Sequence, residues 1–297
     1  MKNMNTKFIL AVAAAACLCP GGAFCAGDKL VPPAQLAPEK ALYPADMVNV
    51  EAMCYLDAID DVVIAFQSIA LDVHNLSAFS ETVRGAGGAS WAKRVLDIGT
   101  GSGVVGFLLL GHGAGSVVGT DIDPLAVKNA GYNARRLGFR EKFEARLVPE
   151  TDPGAYSVAR EGERFDLIVS DPPQMYVEEE ARLFPPEKDR RNYFRFDPGG
   201  RLLSSLAAGL GERLAPGGRA WVSLRSPAAK RLLLELAVRH NLALRVVFSG
   251  KDGLDYSAVR FLPPMPHKNP AFYDGKLRMQ AVEVFELTLK PEGAPAR

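Results

Sequence analysis

The sequence has few of the residues from which metal sites, disulfide frameworks and hydrolytic nucleophiles are built. Four cysteines occur in 297 residues, and Cys17, Cys19 and Cys25 lie together near the N-terminus. None of the four histidines has a cysteine or histidine at metal-ligand spacing, and no G-x-S-x-G motif occurs. We therefore expect no bound metal and no hydrolase, and we interpret Cys54 as a buried structural thiol.

The sequence also lacks an excess of charge of either sign. Lysine and arginine number 35 against 34 aspartates and glutamates, so the formal net charge is +1. This balance excludes a general attraction to nucleic acid and leaves only local patches open. With 48% hydrophobic residues the chain can bury a sizeable core, and we expect one large domain with an appendage.

No apolar run is long enough to span a bilayer, which needs about 20 residues. The run at 8–18 follows Lys2 and Lys7 and is ended by the residues Pro-Gly-Gly at 20–22. Small residues then complete the layout of a secretory signal peptide, which we assign to residues 1–26. We expect no stable membrane span, and export to the periplasm or beyond, or a cytoplasmic location if the start site is wrong.

Residues 27–90 are interpreted as a linker and a short N-terminal helical extension. Residues 28–44 are rich in proline and alanine and favour a linker. From Ala45 to Asp72 we predict a helix, because apolar residues recur at spacings of three and four: Leu56, Ile59, Val63, Phe66 and Ala70.

From residue 91 onward, short β-branched runs alternate with helical stretches, which is typical of a parallel sheet with crossover helices. We predict strands at 94–98, 116–121, 143–148, 165–170, 219–224, 243–248 and 281–289, and helices near 103–110, 124–137, 201–214 and 227–240. This α/β domain spans 91–290 and leaves a tail at 291–297. The segment 249–280 is too long for a turn, and we interpret it as a lid or a substrate-facing loop.

A glycine-rich loop after the first of these strands fits two nucleotide-binding patterns. Residues 94–107 read RVLDIGTGSGVVGF. Gly101, Gly103 and Gly106 match the dinucleotide pattern G-x-G-x-x-G, whereas Asp97, Gly99, Gly101 and Gly103 match D-x-G-x-G-x-G, which points to S-adenosylmethionine. Ligands of open parallel sheets bind at this end of the strands, and glycine places no Cβ between backbone and ligand.

The motif VVGTDIDP places Asp121 at the end of the second strand. A carboxylate there can accept hydrogen bonds from both hydroxyls of a ribose, and we include the adjacent Ile122 in the predicted cofactor site. Asp123 is interpreted as the N-cap of the next helix, with Pro124 at its first position. Up to this point NAD and S-adenosylmethionine both fit.

The motif FDLIVSDPPQMY puts Asp171, Pro172 and Pro173 at the end of the fourth strand, beside the first. The Asp171 carboxylate and the Pro172 carbonyl can both accept hydrogen bonds from one –NH₂ group, which positions a nitrogen for attack on a methyl group. A dehydrogenase needs no such arrangement. We therefore predict Asp171 and Pro172 as catalytic residues, and Pro173, Gln174 and Tyr176 as substrate-binding residues.

Taken in order, the three motifs resemble those of class I S-adenosylmethionine-dependent methyltransferases, over about residues 91–250. The resemblance implies a Rossmann-like, doubly wound sheet of seven strands with the last strand antiparallel. It also implies that Asp97 and the glycine loop face the methionine part of the cofactor and that Asp121 holds the ribose. The nearest likeness is to the N-P-P-Y group, which methylates glutamine in release factors, base amino groups or ribosomal protein side chains.

Two features of that group are altered or ambiguous here. Gln174 stands where the group has an aromatic ring that stacks on a planar amide or base, so methylation of a planar nitrogen would need Tyr176 in that place. The acid that contacts adenine is either Glu150 or Asp152. The methyl acceptor itself, a protein, an RNA or a small molecule, stays open.

Two alternative functions also stay open. An NAD(P)-dependent oxidoreductase would use Gly101, Gly103, Gly106 and Asp121 and would leave the D-P-P turn unexplained. A catalytically silent exported binding protein would account for Gln174 and for the leader.

Two arginine-rich stretches bear on possible partners. Residues 182–201 interleave arginines with aromatic residues, but neighbouring acids cancel much of the charge, and we interpret the stretch as a solvated loop over the cofactor cleft. Residues 135–140, RRLGFR, are interpreted as the charged end of a helix, where cations suit the helix dipole.

Overall fold

The computed structural model describes residues 50–66, 69–173, 175–177, 196–255, 257–262, 273–274, 277–278 and 281–291. The strands are β1 (Val50–Leu56), β2 (Asp61–Phe66), β3 (Arg94–Ile98), β4 (Ser116–Asp121), β5 (Phe143–Leu147), β6 (Phe165–Ser170), β7 (Met175–Val177), β8 (Phe196–Pro198), β9 (Leu214–Leu224), β10 (Leu242–Ser249), β11 (Val259–Leu262), β12 (Tyr273–Asp274), β13 (Leu277–Arg278) and β14 (Glu283–Leu289). The helices are α1 (Val73–Gly85), α2 (Val104–Gly111), α3 (Pro124–Arg136), α4 (Arg201–Arg213) and α5 (Pro227–Arg239).

The central feature is a seven-stranded sheet in the order β10-β14-β9-β6-β3-β4-β5. The five strands from β9 to β5 pair in parallel, while β14 pairs antiparallel with both β9 and β10. The predicted doubly wound, Rossmann-like sheet of seven strands with an antiparallel last strand is thus confirmed. Because the parallel strands share one direction, the loops that follow them meet at one edge of the sheet.

The sheet is buried on both faces by helices. Along β3, Val95 packs into the cluster that contains α2 residues such as Phe107, whereas Leu96 packs into the cluster that contains Leu206 of α4 and Leu233 of α5. This alternation follows from the two-residue period of a strand. The three-layer arrangement leaves the carboxyl ends of the strands as the place for a ligand.

The predicted element bounds agree closely with the structure within this domain. The strands at 94–98, 116–121 and 165–170 have the predicted limits, and the four predicted helices lie within one residue of theirs. Asp123 caps α3 as expected, since its Oδ1 accepts a hydrogen bond from the Leu125 N–H at 2.9 Å, and Pro124 is the first helical residue. Only β9 is clearly longer than predicted, because it begins at Leu214 and includes the residues APGG.

The helix predicted from Ala45 to Asp72 is wrong. Residues 50–66 form an antiparallel hairpin of β1 and β2, with Asp60 in the left-handed region (φ 52°) at its turn. The apolar residues matched a helical spacing, but each run is short and rich in residues that favour strands. The hairpin also gains a partner that local periodicity cannot reveal, because β11 pairs with β1. The described part of the 249–280 segment therefore contributes β11 to this sheet and also contains the short strands β12 and β13, and residues 263–272 lie outside the description.

Asparagine side chains of α3 close the open edge of β2. Asn129 Oδ1 accepts a hydrogen bond from the Phe66 N–H at 3.0 Å, and Asn133 Oδ1 accepts one from the Ile64 N–H at 3.2 Å. Both amide groups donate to the Ile64 carbonyl, and Asn133 also donates to the Ser102 carbonyl at 2.9 Å. Asn133 thus ties the hairpin directly to the glycine loop.

Cys54 lies fully buried in β1, and burial raises the pKa of its thiol to about 12. The prediction of a structural thiol is confirmed, although its element is a strand. The leader at 1–26, the linker at 28–44 and most of the 182–201 stretch lie outside the described residues. Export accordingly stays a prediction.

We predict that Asn133→Ala lowers the free energy of unfolding by about 2–3 kcal/mol, because it leaves buried backbone groups of β2 and the glycine loop without partners. Urea unfolding followed by circular dichroism measures this change. Arg135→Ala, on the exposed face of the same helix, is the matched control and should cost less than about 0.5 kcal/mol. Equal losses of unfolding free energy in the two variants would contradict the stabilising role of the Asn133 hydrogen bonds.

Candidate functional site

The glycine loop leaves open space above its first two glycines. Gly99, Gly101 and Gly103 have φ values of 74°, 56° and 84°, and α2 begins directly after them. A Cβ added to Gly99 would meet no atom within 4 Å. One added to Gly101 would meet only Ile69 Cγ2 at 3.8 Å and the Ala70 carbonyl oxygen at 3.9 Å. A ligand can therefore approach the backbone closely here.

The last glycine of the pattern has another role. A Cβ on Gly106 would lie 2.6 Å from the ring of Phe143 and 3.0 Å from Val117 Cγ1. Gly106 therefore allows α2 to pack closely on the sheet. Its presence is a packing requirement of the fold, so it does not favour a dinucleotide over S-adenosylmethionine.

Asp121 lies at the end of β4 and supports the loop from the side. Its Oδ2 accepts a hydrogen bond from the Gly101 N–H at 2.9 Å, and its Oδ1 accepts one from the Asp123 N–H at 2.9 Å. Burial raises the pKa of the Asp121 carboxyl to about 6, so it is ionised at neutral pH. Each carboxylate oxygen has capacity for a further hydrogen bond, which suits a ribose diol. Ile122 follows it and is partly exposed.

Asp97 lies beneath the glycine loop, with 2% of its surface exposed. Its Oδ2 accepts a hydrogen bond from Thr100 Oγ1 at 2.7 Å, and it also accepts one from the Gly106 N–H. Burial raises the pKa of its carboxyl to about 7. Asp97 therefore organises the loop, and its direct contact with a cofactor stays a prediction.

Asp171 follows β6 and is held by two donors from other elements. Asn75 Nδ2 of α1 donates to its Oδ1 at 2.6 Å, and Ser223 Oγ of β9 donates to the same oxygen at 2.8 Å. Burial and the nearby carboxylate of Asp72 raise the pKa of the Asp171 carboxyl, while its hydrogen-bond donors and Arg225 oppose that rise. The carboxylate thus has a fixed position at the sheet edge beside the glycine loop.

The donor Asn75 is itself positioned through a partly buried ion pair. Arg225 is buried and forms an ion pair with Asp72. Asp72 also caps α1, since its Oδ1 accepts hydrogen bonds from the N–H groups of His74 (2.9 Å) and Asn75 (3.3 Å). Asn75 has 1% of its surface exposed, and its Oδ1 has no hydrogen-bond partner in the described structure. An orphaned acceptor costs about 1–3 kcal/mol, so the amide is oriented toward Asp171 at a cost.

The predicted acceptor-side residues are only partly described. Pro172 is buried and Pro173 is partly exposed directly after Asp171. Gln174 lies outside the description, and nothing is established about the side chain of Tyr176 in β7. Their roles, and the question of stacking, stay predictions.

Glu150 and Asp152 both lie exposed in the turn after β5. Neither makes a described side-chain contact that selects it as the adenine ligand, so that assignment stays open.

Four site residues escaped the sequence patterns: Asp72, Asn75, Ser223 and Arg225. Asp72 was interpreted as the end of the erroneous helix, although an aspartate before an apolar-periodic stretch is a helix-start signal, and no helix was predicted for the stretch that contains Asn75. Ser223 and Arg225 lie at the carboxyl end of β9, where the position of the strand end alone marks them as candidates.

Across the described ranges no cluster of His, Cys, Asp or Glu residues could hold a metal ion. Within the same residues no helix is both long enough and apolar enough to cross a membrane.

These features define a Rossmann-like nucleotide site of the class I methyltransferase type. They are the strand order, the open glycine loop, Asp121 at the end of β4 and Asp171 after β6. The residues fit S-adenosylmethionine on two counts: the space above Gly99 and Gly101, and an ionised acceptor for ribose in Asp121.

Comparison with known proteins finds methyltransferases among the relatives of this chain. The family model of ribosomal protein L11 methyltransferase (PrmA) matches residues 76–171. The release factor glutamine methyltransferase of Bordetella pertussis is 35% identical over 161 residues, covering 50% of this chain and 54% of the relative. That of Cereibacter sphaeroides is 33% identical, covering 57% and 59%. The L11 methyltransferase of Syntrophotalea carbinolica is 34% identical, covering 47% and 40%.

Among solved structures, the ribosomal protein L11 methylase of Lactobacillus delbrueckii matches with 16% identity and a TM-score of 0.38, covering 67% of this chain and 70% of that protein. A precorrin-6y C5,15-methyltransferase of Geobacter metallireducens matches with 9% identity and a TM-score of 0.45, covering 76% and 93%. The fold assignment rests on the strand order given above.

The chain is thus related to class I S-adenosylmethionine-dependent methyltransferases and to the group that includes the release factor glutamine and L11 enzymes. The resemblance drawn from the three motifs is confirmed, with S-adenosylmethionine as the cofactor. The oxidoreductase alternative gains no support. The chain spans little more than half the length of the first two of these relatives.

The ionisation of Asp121 predicts a pH dependence of cofactor binding. Its pKa of about 6 lies above the ordinary aspartate value, so protonation removes the acceptor as the pH falls. The dissociation constant of S-adenosylhomocysteine should rise about ten-fold between pH 7 and pH 5. Calorimetric titration measures it. Asp121→Asn should bind weakly at both pH values, and Glu212→Gln on the exposed face of α4 should behave as the wild type. A pH dependence that persists in Asp121→Asn would assign it to another group.

Asn75→Leu removes the donor to Asp171 while keeping a similar side-chain volume. We expect kcat for methyl transfer to fall about ten-fold with the affinity for S-adenosylhomocysteine unchanged. Because the donor lowers the pKa of Asp171, its loss should shift the acidic limb of the rate–pH profile to higher pH. Ser80→Ala, a buried position of the same helix, is the control. A fall in rate with no shift of the profile would reduce Asn75 to a packing role.

Proposed function

We propose that the chain transfers the methyl group of S-adenosylmethionine to a nitrogen of an acceptor molecule, with a protein side chain as the favoured acceptor. The observation that carries the proposal is the position of Asp171. A carboxylate held by donors from α1 and β9 lies at the end of β6, next to the glycine loop that follows β3. A merely structural turn would not need two donors from separate elements for one oxygen.

Asp171 acts on the acceptor by positioning its nitrogen. The carboxylate and the carbonyl of Pro172 accept hydrogen bonds from one –NH₂ group, and this directs the nitrogen lone pair toward the cofactor site. When bound, S-adenosylmethionine supplies a methyl group on a positively charged sulfur. The negative charge of Asp171 then stabilises the positive charge that develops on the attacking nitrogen.

The fixed geometry of Asp171 reduces the reorganisation that the reaction requires. Asn75 and Ser223 hold the oxygen before the acceptor arrives, so no side chain needs to be ordered during the transfer. Pro172 and Pro173 restrict the backbone on the other side.

The release factor and L11 relatives match more of the chain than a ribosomal RNA methyltransferase that is also a relative, and they favour a protein acceptor. Their names assign release factor glutamine and ribosomal protein L11 as substrates of those enzymes. The balanced charge of this chain agrees, since it offers no general attraction to nucleic acid.

The test is transfer of a radiolabelled methyl group to the proteins of a cell extract. Asp171→Ala should abolish incorporation, with a loss of at least about a hundred-fold, and should bind S-adenosylhomocysteine as tightly as the wild type. Asp171→Asn keeps an acceptor oxygen and should retain part of the rate without the negative charge.

Glu235→Ala, on the exposed face of α5, is the control and should leave incorporation unchanged. Incorporation that survives in Asp171→Ala would contradict the proposed role of Asp171. Binding of the cofactor by the wild type with no incorporation into any protein, RNA or small molecule would favour the silent binding protein.

A further inference from the structure

A groove of about 460 Å³ lies on the outer side of the sheet, between α3 and β5. Its apolar lining includes the partly exposed Val127 of α3 and Ala145 of β5, which lie over the buried Ala134 and Phe143. Arg135 and Arg140 stand on its rim with exposed side chains. None of these residues belongs to the cofactor site or the Asp171 cluster.

The groove runs beside an open strand edge. β5 is the last strand in the sheet order, and no described strand lies beyond it. The Lys142 carbonyl accepts a hydrogen bond from the Val117 N–H, and the Val148 N–H donates to the Asp121 carbonyl, both at 2.8 Å. These two hydrogen bonds show that peptide groups of even-numbered residues of β5 point toward β4. Because the direction of the peptide groups alternates from residue to residue along a strand, the N–H and C=O of Ala145 point away from the sheet.

Three basic residues, Lys128, Arg135 and Arg140, line the groove. Neither Arg135 nor Arg140 forms an ion pair with another described residue, and no acidic residue lines the groove. Glu144 points to the opposite face of β5. There it pairs with Arg146 at 2.8 Å and with Arg160 at 2.5 Å. The charges on the opposite face of β5 are therefore paired, whereas those of Arg135 and Arg140 on the α3 face have no ion-pair partner among the described residues.

We propose that this groove binds an extended, acidic segment of a partner protein, which adds to the edge of β5 as a further strand. The backbone of the segment pairs with the outward peptide groups of Ala145. Every second side chain then faces α3, where apolar residues meet Val127 and acidic residues meet Arg135 and Arg140. This is recognition by strand addition, with specificity set by alternate side chains.

The surface fits such a segment better than it fits RNA or a second copy of the chain. Single-stranded RNA is bound by exposed aromatic rings, and the ring that lines this groove, Phe143, is 6% exposed. If two copies of the chain paired through their β5 edges, the arginines of both grooves would lie close together, and their mutual repulsion would oppose the pairing.

The test uses a fluorescein-labelled peptide of alternating glutamate and valine and the full 297-residue chain. Fluorescence anisotropy should show saturable binding that weakens with salt. Arg135→Glu with Arg140→Glu should lower the affinity at least about ten-fold. The matched control is Arg231→Glu with Arg239→Glu, which makes the same charge change on the exposed face of α5 and should alter the affinity less than about two-fold.

A second variant tests strand addition separately from charge. Ala145→Pro removes an outward N–H without removing a hydrogen bond to β4, and proline is tolerated on such edges. It should abolish peptide binding and keep the thermal melt and the affinity for S-adenosylhomocysteine. The proposal would be overturned if the two charge-reversal pairs lost affinity equally, or if the peptide did not bind at all. It would also be overturned if the chain bound poly-uridylate in place of the peptide, or if it self-associated in a way that Ala145→Pro abolished.

Discussion

A partly buried carboxylate at the end of a central strand is the constraint on which the site depends. Moving Asp171 away from water costs free energy unless hydrogen-bond donors replace the water. Those donors come from two elements that are far apart in the sequence, Asn75 in α1 and Ser223 in β9. The acceptor side of the site therefore exists only when α1 is docked against the sheet beside β9.

The docking of α1 depends in turn on the residues that precede it. Asp72 begins the helix and pairs with Arg225 at the end of β9, while the Ala70 carbonyl oxygen just before it borders the open space above Gly101. The hairpin of β1 and β2 leads into this segment, and Asn133 holds the hairpin and the glycine loop together. The N-terminal extension is thus part of the site, where the sequence had indicated only an appendage.

The sequence predicted those parts of the fold that short-range patterns specify. Strand and helix bounds of the α/β domain follow from alternation, and the α3 start follows from the adjacent Asp123 and Pro124. The hairpin was missed because its strands are stabilised by β11 and by Asn129 and Asn133, none of which is local. For the same reason the motifs located Asp171 but not its donors Asn75 and Ser223, because a hydrogen bond between distant elements produces no regular pattern in the sequence.

The central claim is that the glycine loop and Asp121 form a site for S-adenosylmethionine beside the held carboxylate of Asp171. The most direct measurement is calorimetric titration of the chain with S-adenosylhomocysteine, with NAD as the competing ligand. The account predicts a one-to-one complex with S-adenosylhomocysteine at micromolar concentration, lost in Asp121→Ala, and no heat from NAD. Binding of NAD, or of neither ligand by a folded chain, would contradict it.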